Sequence, residues 1–548
     1  MADVSSGTYD YVIVGSGAAG SVLAARLSAD RNVSVLLIEA GGPDRAPIHL
    51  VPKGFYYTVA DARYAKDFVT EPYPDGSHEV WHRGRVVGGS TTINGMVWNR
   101  GWAPDYDQWE EAGNKGWNWQ RFLEAYRGME AHSLGGTYFR GDKGPVPIEI
   151  AGPSEPVCEQ LIQAMDRHGI AFEDDMNGSD NNRVSYVASN TRHGLRVSAS
   201  RAFLRRARRR RNLTVMPHTE VERVLFEGTR AIGVRARRGG EAVTFRARLE
   251  VLLCGGAFES PLLLERSGVG DPDVLAAAGV PLLVASPGVG ENLREHRGVL
   301  FQLRLDGVRG YNHLASSFSR QMWTGFKYLF TRDGLIAHGG FAVSGIYASD
   351  PASWRPDTQS FFTPISTSTA NPMTGRLVVD KHPGARFVTF PLHPTSRGHI
   401  HITGPSVTDA PKLVPNFLST EHDRRLLLKV VRKAREILAT PPFADHVVAE
   451  LEPGPGISTD AQILDHALNK GNAGYHTLGT CAMGPDEHDV VDDRLRLRGA
   501  TGLRVVDASV FPQQPSGNNN APTMALAWIA ADLIRADRVR GAASDARP

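Results

Sequence analysis

A glycine-rich turn between two apolar segments near the N-terminus constrains the fold of this chain more than any other feature. Residues 9–14 (YDYVIV) predict a buried strand, residues 21–28 carry apolar side chains at helical spacing, and residues 33–38 (VSVLLI) predict a second strand. The turn before the helix has the pattern G-x-G-x-x-G, formed by Gly15, Ser16, Gly17, Ala18, Ala19 and Gly20. The whole unit predicts the dinucleotide-binding part of a parallel α/β sheet.

Each glycine of this turn has a physical reason. Gly15 permits the tight turn, Gly17 lets the backbone approach a pyrophosphate, and Gly20 allows the helix to pack closely on the strand. The N-terminus of the helix then faces the anion. Glu39, which is followed by Ala40, ends the second strand, and we expect its carboxylate to accept hydrogen bonds from an adenosine ribose. An acid at this position disfavours NADP, whereas FAD and NAD both fit the unit.

Size and composition indicate a two-domain enzyme rather than a nucleic-acid-binding protein. The chain has 548 residues, of which 41% are hydrophobic and 22% charged, and its formal net charge is +2. So small a net charge creates no global field that would recruit nucleic acid or an acidic membrane. The one strongly basic run, residues 205–211 (RRARRRR), is expected to form a solvated helix face or helix end.

Nothing in the sequence predicts secretion, a membrane span or a metal centre. The N-terminus has no basic segment followed by an apolar one, and no apolar run reaches the ~18 residues that a membrane span requires. The three cysteines, Cys158, Cys254 and Cys481, lie too far apart in sequence for a disulfide framework or a C-x-x-C metal site. We therefore expect a cytoplasmic protein without a metal.

The rest of the chain predicts a mixed α/β protein. Residues 41–84 are rich in Pro, Tyr and Gly, and we expect them to cross the surface without regular structure. Helices are expected at residues 109–131, 156–169, 421–438 and 521–536, and strands of a meander at residues 213–215, 221–226, 231–238 and 243–253. Alternating strands between residues 301 and 468 predict a second, cap-like domain.

Four further segments are rich in glycine and small polar residues. They are residues 84–101 (GRVVGGSTTINGMVWNRG), 256–270 (GAFESPLLLERSGVG), 474–481 (GYHTLGTC) and 516–523 (SGNNNAPT). In the first, Gly88 and Gly89 with Ser90 after them suit a backbone pressed against a flat ligand. In the second, Ser260 and Pro261 predict the start of a helix. Taken singly, each segment is more often a glycine-rich loop or a capped helix.

In this order, and on this N-terminal unit, the four segments resemble the glucose–methanol–choline (GMC) oxidoreductase family of flavoenzymes. The resemblance covers nearly the whole chain, and two of the segments match the family's two diagnostic patterns. Residues 288–293 (GVGENL) and 505–509 (VVDAS) are also similar to the family's sequences. The resemblance implies an α/β, Rossmann-like FAD-binding domain and a substrate domain built on a mostly antiparallel sheet. The expected boundaries are 1–155, 195–300 and 470–548 for the first domain, and 156–194 and 301–469 for the second.

The resemblance also implies FAD as the cofactor. Its adenosine end is expected on the N-terminal turn and Glu39, with Val221 beside the adenine, and its isoalloxazine at residues 88–95. Some relatives attach FAD covalently through a histidine at the position that is Ile93 here, so noncovalent FAD is expected. The full set of expected cofactor residues is Gly15, Ser16, Gly17, Ala18, Ala19, Gly20, Glu39, Ala40, Arg85, Gly88, Gly89, Ser90, Asn94, Gly95, Met96, Val97, Val221, Gly255, Asp507, Ala508, Asn518 and Asn520.

The family's catalytic pair corresponds to His476 and Asn518 in this sequence. The resemblance implies that His476 is the general base that takes the hydroxyl proton, while the amide of Asn518 orients the substrate for hydride transfer to flavin N5. Asn520 is then expected nearer the flavin. The sequence departs from the family's usual His-Pro-Val at Thr477 and Leu478, and Ala482 stands at a frequently basic position.

The expected activity is oxidation of a primary alcohol to the aldehyde, with an aromatic or otherwise hydrophobic alcohol favoured. Electrons are expected to pass to oxygen or to a quinone or protein acceptor. No acid stands out as a partner for a quaternary ammonium, so choline is not the favoured substrate. The alternatives are a choline-type dehydrogenase, an FAD-containing lyase of the hydroxynitrile-lyase type and a flavin-binding protein without catalysis. The candidate pocket residues are Trp98, Tyr311, Trp323, Phe326, Phe361, Phe362 and Tyr475.

Overall fold

The first core of the structure is a mixed sheet of seven strands. A computed structural model describes residues 6–150, 152, 155–315, 317–368 and 378–545, with side chains described up to residue 540. Across the sheet the strands follow the order Leu213–Met216, Val35–Ile38, Ser6–Val14, Glu241–Leu253, Arg230–Arg238 and Thr219–Glu227, with Leu503–Val505 paired beside Glu241–Leu253. The pairs around Ser6–Val14 are parallel, and the last three strands of this order form antiparallel hairpins.

The glycine-rich turn lies where the first strand meets its helix. Gly15 has a φ of +98° and donates its N–H to the carbonyl of Ile38, and the helix Ala18–Leu27 follows at once. A side chain at Gly20 would overlap the carbonyl oxygen of Gly15, so only glycine lets the helix approach the strand this closely. The helix packs between the sheet and the C-terminal helix Asn520–Asp545, whose inner face is rich in alanine.

The second core is a sheet of eight strands, and it is mostly antiparallel, as the sequence predicts. Its inner strands are backed on one face by the helices Pro156–Asp166 and Glu421–Leu438. Phe362 and Phe387 pack with that helical layer, whereas Phe361, one position away from Phe362, and Phe390, three positions away from Phe387, belong to the core of the first sheet. The strands are Ala171–Phe172, Arg183–Tyr186, Arg297–Leu305, Val343–Tyr347, Thr358–Thr363, Gly384–Pro391, Val447–Glu452 and Asn472–Ala473.

These two sheets confirm the expected fold class. The proposed domain division stays a prediction. Two strands of the second sheet do not follow it, because Arg297–Leu305 crosses the expected boundary at residue 300 and Asn472–Ala473 lies in the range 470–548 expected for the first domain. Further helices are Ala103–Glu111, Trp119–Met129, Gly256–Arg266, Pro272–Ala277, Phe318–Thr331 and Asp460–Lys470. No helix of the described residues is both long and apolar enough to cross a bilayer.

Four local expectations from the sequence were wrong. Residues 41–84 contain short helical turns and the hairpin Ala65–Val69 with Val80–Gly84. Residues 109–131 belong to two helices, because Gly113 and Gly116 take positive φ angles of +100° and +81° between them. The strand at Leu213–Met216 pairs in parallel with Val35–Ile38 and is not part of the meander.

The fourth concerns Pro261, which lies inside the helix Gly256–Arg266 rather than at its start. Proline has no N–H for the carbonyl four residues earlier, which here belongs to Ala257. The hydroxyl of Thr480 donates to that carbonyl instead, at 2.7 Å. A residue more than 200 positions away thus satisfies the acceptor that the proline leaves open.

We predict that Gly20→Ala destabilises the protein, because its methyl group overlaps the backbone of the turn. The overpacking should cost about 1–3 kcal/mol of unfolding free energy and lower the melting temperature measured without added cofactor. Gly325→Ala is the matched control, since a methyl group at this helical position meets no atom within 4 Å. Equal melting temperatures for the two variants would contradict the close approach.

Candidate active site

The carboxylate of Glu39 connects the glycine-rich turn to the end of the second strand. It accepts hydrogen bonds from the backbone N–H of Ser16 at 3.0 Å, the hydroxyl of Ser16 at 2.6 Å and the N–H of Gly41 at 2.9 Å. Glu39 is buried, and burial raises its pKa while these hydrogen bonds act in the opposite direction. Its backbone carbonyl accepts from the N–H of Thr219, two residues before Val221.

The loop predicted to face a flat ligand lies directly against this turn. Gly88 and Gly89 both have positive φ, at +96° and +54°, and a side chain at Gly89 would lie 2.8 Å from the Cα of Gly17. The hydroxyl of Ser16 accepts from the N–H of Gly88 at 3.1 Å. Two segments that are 72 residues apart in sequence therefore form one surface.

The next residues of the same loop are held by hydrogen bonds inside the loop and by a hydrogen bond from a buried arginine. The hydroxyl of Ser90 accepts from the N–H of Gly84, and the side-chain oxygen of Asn94 accepts from Met96 and from Arg196. Met96 has a positive φ of +65° although it is not glycine, and it is buried. Side-chain hydrogen bonds therefore fix the loop on both sides of its short 3-10 helix, Gly89–Thr92.

Asp507 organises a third segment at the same edge of the first sheet. Its carboxylate follows the strand Leu503–Val505 and accepts from the N–H of Gly256 at 2.8 Å, the hydroxyl of Ser260 at 2.6 Å and the N–H of Ser509 at 2.8 Å. Burial raises the pKa of Asp507, and the hydrogen bond from Ser260 is the largest opposing cause. The aspartate thereby caps the helix Gly256–Arg266.

The residues at this edge fit a dinucleotide. A side chain built at Gly17 meets no heavy atom within 4 Å, so the turn and the N-terminus of the helix Ala18–Leu27 face open space. The amide nitrogen of Asn520 is buried without a hydrogen-bond partner among the described residues. A buried donor and a free helix N-terminus are the groups that an anionic ligand with oxygen acceptors would satisfy.

Backbone contacts hold several of the remaining expected cofactor residues in place. Residues 42 and 86 form a parallel bridge next to Arg85, whose guanidinium lies 3.1 Å from the carboxylate of Glu220. Gly95 accepts at its carbonyl from the N–H of Gly340, and Val97 bridges to the strand Ala188–Ser189. Further positions on the turns described above are Ala18, Ala19, Ala40, Gly255 and Ala508.

His476 lies at the centre of a chain of side-chain hydrogen bonds. Its Nδ1 is 2.9 Å from Nδ1 of His296, and its Nε2 is 2.7 Å from the amide nitrogen of Asn518. Nε2 of His296 is 3.0 Å from the carbonyl oxygen of Leu392. The amide oxygen of Asn518 accepts from Gln359 at 3.4 Å. Of the three consecutive asparagines, Asn518 is the one whose side chain contacts His476.

The order of donors along this chain fixes the tautomer of His476. A backbone carbonyl only accepts, so Nε2 of His296 carries the proton given to Leu392, and its Nδ1 is an acceptor when the ring is neutral. Nδ1 of His476 must then carry a proton and donate it to His296. Nε2 of His476 keeps its lone pair, which accepts from the N–H of Asn518.

Both histidines are held in the neutral form. Burial lowers the pKa of His476 well below its usual value, and the nearby His296 and Arg83 add to that effect. Burial lowers the pKa of His296 to about 4. At neutral pH His476 is therefore a neutral imidazole. Its Nδ1 carries the proton, and the lone pair of its Nε2 points toward Asn518.

A buried glutamate supports the backbone on which both histidines stand. Glu295 accepts from the backbone N–H groups of His296 and His476, each at 2.8 Å, and from the hydroxyl of Thr477 at 2.6 Å. A guanidinium nitrogen of Arg83 lies 3.9 Å from Glu295 and also donates to Thr477. Burial raises the pKa of Glu295, and Arg83 is the largest opposing cause.

Aromatic rings form the wall of the site on the side of the second sheet. Phe390 stacks on His296 at 4.9 Å between ring centroids and meets His476 edge to face at 5.7 Å. Phe361 lies 6.1 Å from Phe390 and stacks on Phe341 at 4.3 Å. Of the aromatic residues predicted to line the pocket, Phe361 is the one that lies in this wall.

The other predicted pocket residues lie outside this wall, and their part in the pocket stays a prediction. Trp98 is fully buried in the core and donates its indole N–H to Glu130, and Phe362 packs against Phe443 in the helical layer. Tyr311 is buried, whereas Trp323 and Phe326 are exposed on a surface helix. Tyr475 is 42% exposed and lies beside the guanidinium of Arg83.

Sequence reasoning missed several residues that surround His476. Glu295 and His296 follow the segment 288–293 after one intervening residue, so the adjacent acid and histidine after that motif were the available signal. Gln359 and Phe390 lie within ordinary strands and carry no such signal. The basic run at 205–211 follows a short helical segment, and most of its arginines are exposed, in line with a solvated helix end.

Comparison with known proteins identifies the family. Two models of GMC oxidoreductase match the chain, the N-terminal one over residues 9–297 and the C-terminal one over residues 394–527. The chain belongs to the GMC oxidoreductase family. The expected FAD cofactor and the expected class, an oxidoreductase acting on CH–OH donors, are thereby confirmed.

Similar proteins cover nearly the whole chain. An oxygen-dependent choline dehydrogenase of Vibrio vulnificus is 38% identical over 96% of this chain and 94% of its own length. The mitochondrial choline dehydrogenase of Homo sapiens is 36% identical over 96% and 90%. Among solved structures, pyridoxine 4-oxidase from Mesorbium loti superposes with a TM-score of 0.84 and 31% identity, over 96% of this chain and 98% of that one.

We predict that Gly17→Ala lowers the FAD content of the purified protein without lowering the stability of the apoprotein. The added methyl group meets no protein atom, so it can obstruct only a ligand that approaches the turn. Flavin absorbance per protein and the melting temperature of the apoprotein are the two measurements. Full FAD occupancy in this variant would place the pyrophosphate elsewhere.

Proposed function

We propose that this protein oxidises a primary alcohol to the aldehyde, with His476 as the general base and Asn518 as the group that orients the substrate. The observation that supports this most is the hydrogen-bond chain from Leu392 through His296, which leaves the lone pair of His476 Nε2 facing Asn518. Bound FAD, which we propose is held noncovalently at the glycine-rich turn, supplies a hydride acceptor. The protein's own residues must therefore handle the proton and the position of the alcohol.

His476 and Asn518 offer complementary groups to a hydroxyl. Without a substrate the amide of Asn518 donates directly to Nε2 of His476 at 2.7 Å, so an alcohol must replace this hydrogen bond. Nε2 of His476 then accepts the hydroxyl proton while the amide N–H of Asn518 donates to the hydroxyl oxygen. Gln359 holds the amide oxygen of Asn518, which keeps the N–H of Asn518 directed toward the imidazole. The hydroxyl oxygen is thereby deprotonated, and the carbon that bears it is held in a fixed orientation.

The aromatic wall supports a neutral, hydrophobic alcohol as the substrate. Phe361 and Phe390 line the site on the sheet side, and the nearest charged side chains are Arg83 and Glu295. Glu295 is fully buried, and its oxygens are occupied by hydrogen bonds from the protein. It therefore offers no surface to a cation.

Choline is the second candidate substrate, because the two similar dehydrogenases carry choline in their names. Benzyl alcohol and choline, added separately to the holoenzyme without air, distinguish the two. We expect the aromatic alcohol to bleach the visible flavin absorbance and choline to leave it unchanged. Bleaching by choline alone would assign the enzyme to choline, and bleaching by neither, with cleavage of a cyanohydrin, would assign it to the lyases of this scaffold.

The proposed electron acceptor is oxygen or a quinone or protein, and comparing turnover in air with turnover on an artificial quinone assigns it. We also propose a cytoplasmic location, because the three cysteines are too widely spaced in the sequence for a disulfide framework.

We predict that His476→Ala slows anaerobic flavin reduction by ~10²–10⁴-fold while FAD stays bound, the range expected for loss of a general base. The measurement is single-turnover bleaching of the flavin under excess alcohol. His488→Ala is the control, because that histidine is exposed on the surface. Reduction at the normal rate in His476→Ala would refute the assignment of the base.

The acidic limb of the pH profile should depend on Arg83. Only neutral His476 accepts a proton, so the bimolecular rate of flavin reduction falls as the pH decreases through the pKa of His476. Because the charge of Arg83 lowers that pKa, Arg83→Gln should move the limb to higher pH. A limb that stays in place or moves to lower pH would show that another group titrates.

A further inference from the structure

One helix of the second domain exposes nearly all of its apolar side chains. The helix Phe318–Thr331, called the exposed helix below, begins at Ser317, whose hydroxyl accepts from the N–H of Arg320. Six large apolar residues on it are more than half exposed. They are Phe318 at 78%, Met322 at 59%, Trp323 at 65%, Phe326 at 54%, Leu329 at 62% and Phe330 at 74%.

These six side chains form one face that points away from the protein. At about 100° per residue they occupy a continuous arc of about 140° around the helix axis. Tyr328 lies on the opposite side, is buried, and donates its hydroxyl to the carbonyl of Gly194. The exposed helix is therefore attached by its polar side and presents its aromatic side outward.

The charge on the exposed helix is entirely positive. Its sequence, FSRQMWTGFKYLFT, contains Arg320 and Lys327 and no acid, and Arg332 follows at its C-terminal cap. Within the described part of the chain, Arg320 and Lys327 have no ion pair, and Arg332 lies over the ring of Tyr328 at 5.4 Å. Arg320 and Lys327 border the apolar arc, where long basic side chains can reach an anionic surface beside it.

We propose that the exposed helix binds the surface of an anionic phospholipid bilayer. Aromatic side chains on one face and basic side chains at its border are the features of a helix that lies in the headgroup region. The helix has 14 residues, or about 21 Å of length, which is too short to cross the hydrocarbon core, so it lies on the bilayer. A second copy of the chain is disfavoured, because a two-fold contact would bring the same cations together.

A short segment of chain links the exposed helix to the loop of the proposed cofactor site. Nine residues after it ends, Gly340 donates to the carbonyl of Gly95 in the loop at residues 88–95, and Lys53 donates to the carbonyl of Gly339. The short helix Phe55–Thr58, which follows Lys53 in the chain, has two exposed aromatic residues, Tyr56 and Tyr57. Docking on a bilayer would bring the site next to reactants dissolved in it.

The test is co-sedimentation of the holoenzyme with vesicles. With phosphatidylcholine containing about one third phosphatidylglycerol, we expect the enzyme to pellet with the vesicles, less so with phosphatidylcholine alone, and less at high salt. The double variant Trp323→Asp with Phe326→Asp should lower the partition coefficient by about tenfold or more. Tyr138→Asp with Val539→Asp is the matched control, since those residues are 63% and 65% exposed elsewhere, and it should bind as the wild type does.

Three results would overturn the proposal. They are wild-type enzyme that stays in solution with anionic vesicles, a control variant that loses binding equally, and a wild-type dimer in analytical ultracentrifugation that the Trp323 and Phe326 variant separates, which would assign the face to a second copy. Flavin reduction by a water-soluble alcohol in the helix variant shows that it is folded, and this readout is independent of vesicle binding.

Discussion

The hydrogen bond from Nδ1–H of His476 to Nδ1 of His296 is the interaction on which the proposed chemistry depends. An imidazole in water exchanges between two tautomers, and only one of them leaves Nε2 free to accept a proton. The carbonyl of Leu392 removes that freedom by fixing the proton of His296, which in turn fixes the proton of His476. Burial keeps both rings neutral, so the base is ready at neutral pH.

The position of this pair follows from the topology of the first sheet. Parallel strands end at the same edge, and in this protein that edge collects the turn after Val14, the acid Glu39 and the carboxylate of Asp507. The carboxylate of Glu39 accepts hydrogen bonds that hold the turns, and the carboxylate of Asp507 accepts one from the N-terminus of a helix. The second sheet then supplies the aromatic wall beside His476.

The sequence predicted the parts of the fold that depend on neighbouring residues. The turn at residues 15–20 and the helix Glu421–Leu438 are encoded by glycine spacing and apolar periodicity, and both were found where expected. The pairing of His476 with Asn518 came from the family resemblance, and the structure brings these side chains together. His296 was not predicted, because its role depends on contact with His476, which lies 180 residues away in the sequence.

The errors share that physical origin. Pro261 was expected to start a helix, but the distant hydroxyl of Thr480 allows it inside one. Trp323 and Phe326 were expected to line a pocket, but both side chains are exposed on the surface. Their aromatic character does not reveal which way a helix faces. Local pattern thus predicts the elements, whereas burial and long-range partners decide what each side chain does.

Neutron diffraction from deuterium-exchanged crystals of the holoenzyme at neutral pH tests the central claim most directly, because it locates the exchangeable hydrogens. We expect deuterium on Nδ1 of His476 between the two rings, deuterium on Nε2 of His296 toward Leu392, and none on Nε2 of His476. Deuterium on Nε2 of His476 would contradict it, since that nitrogen could then not accept the proton of an alcohol.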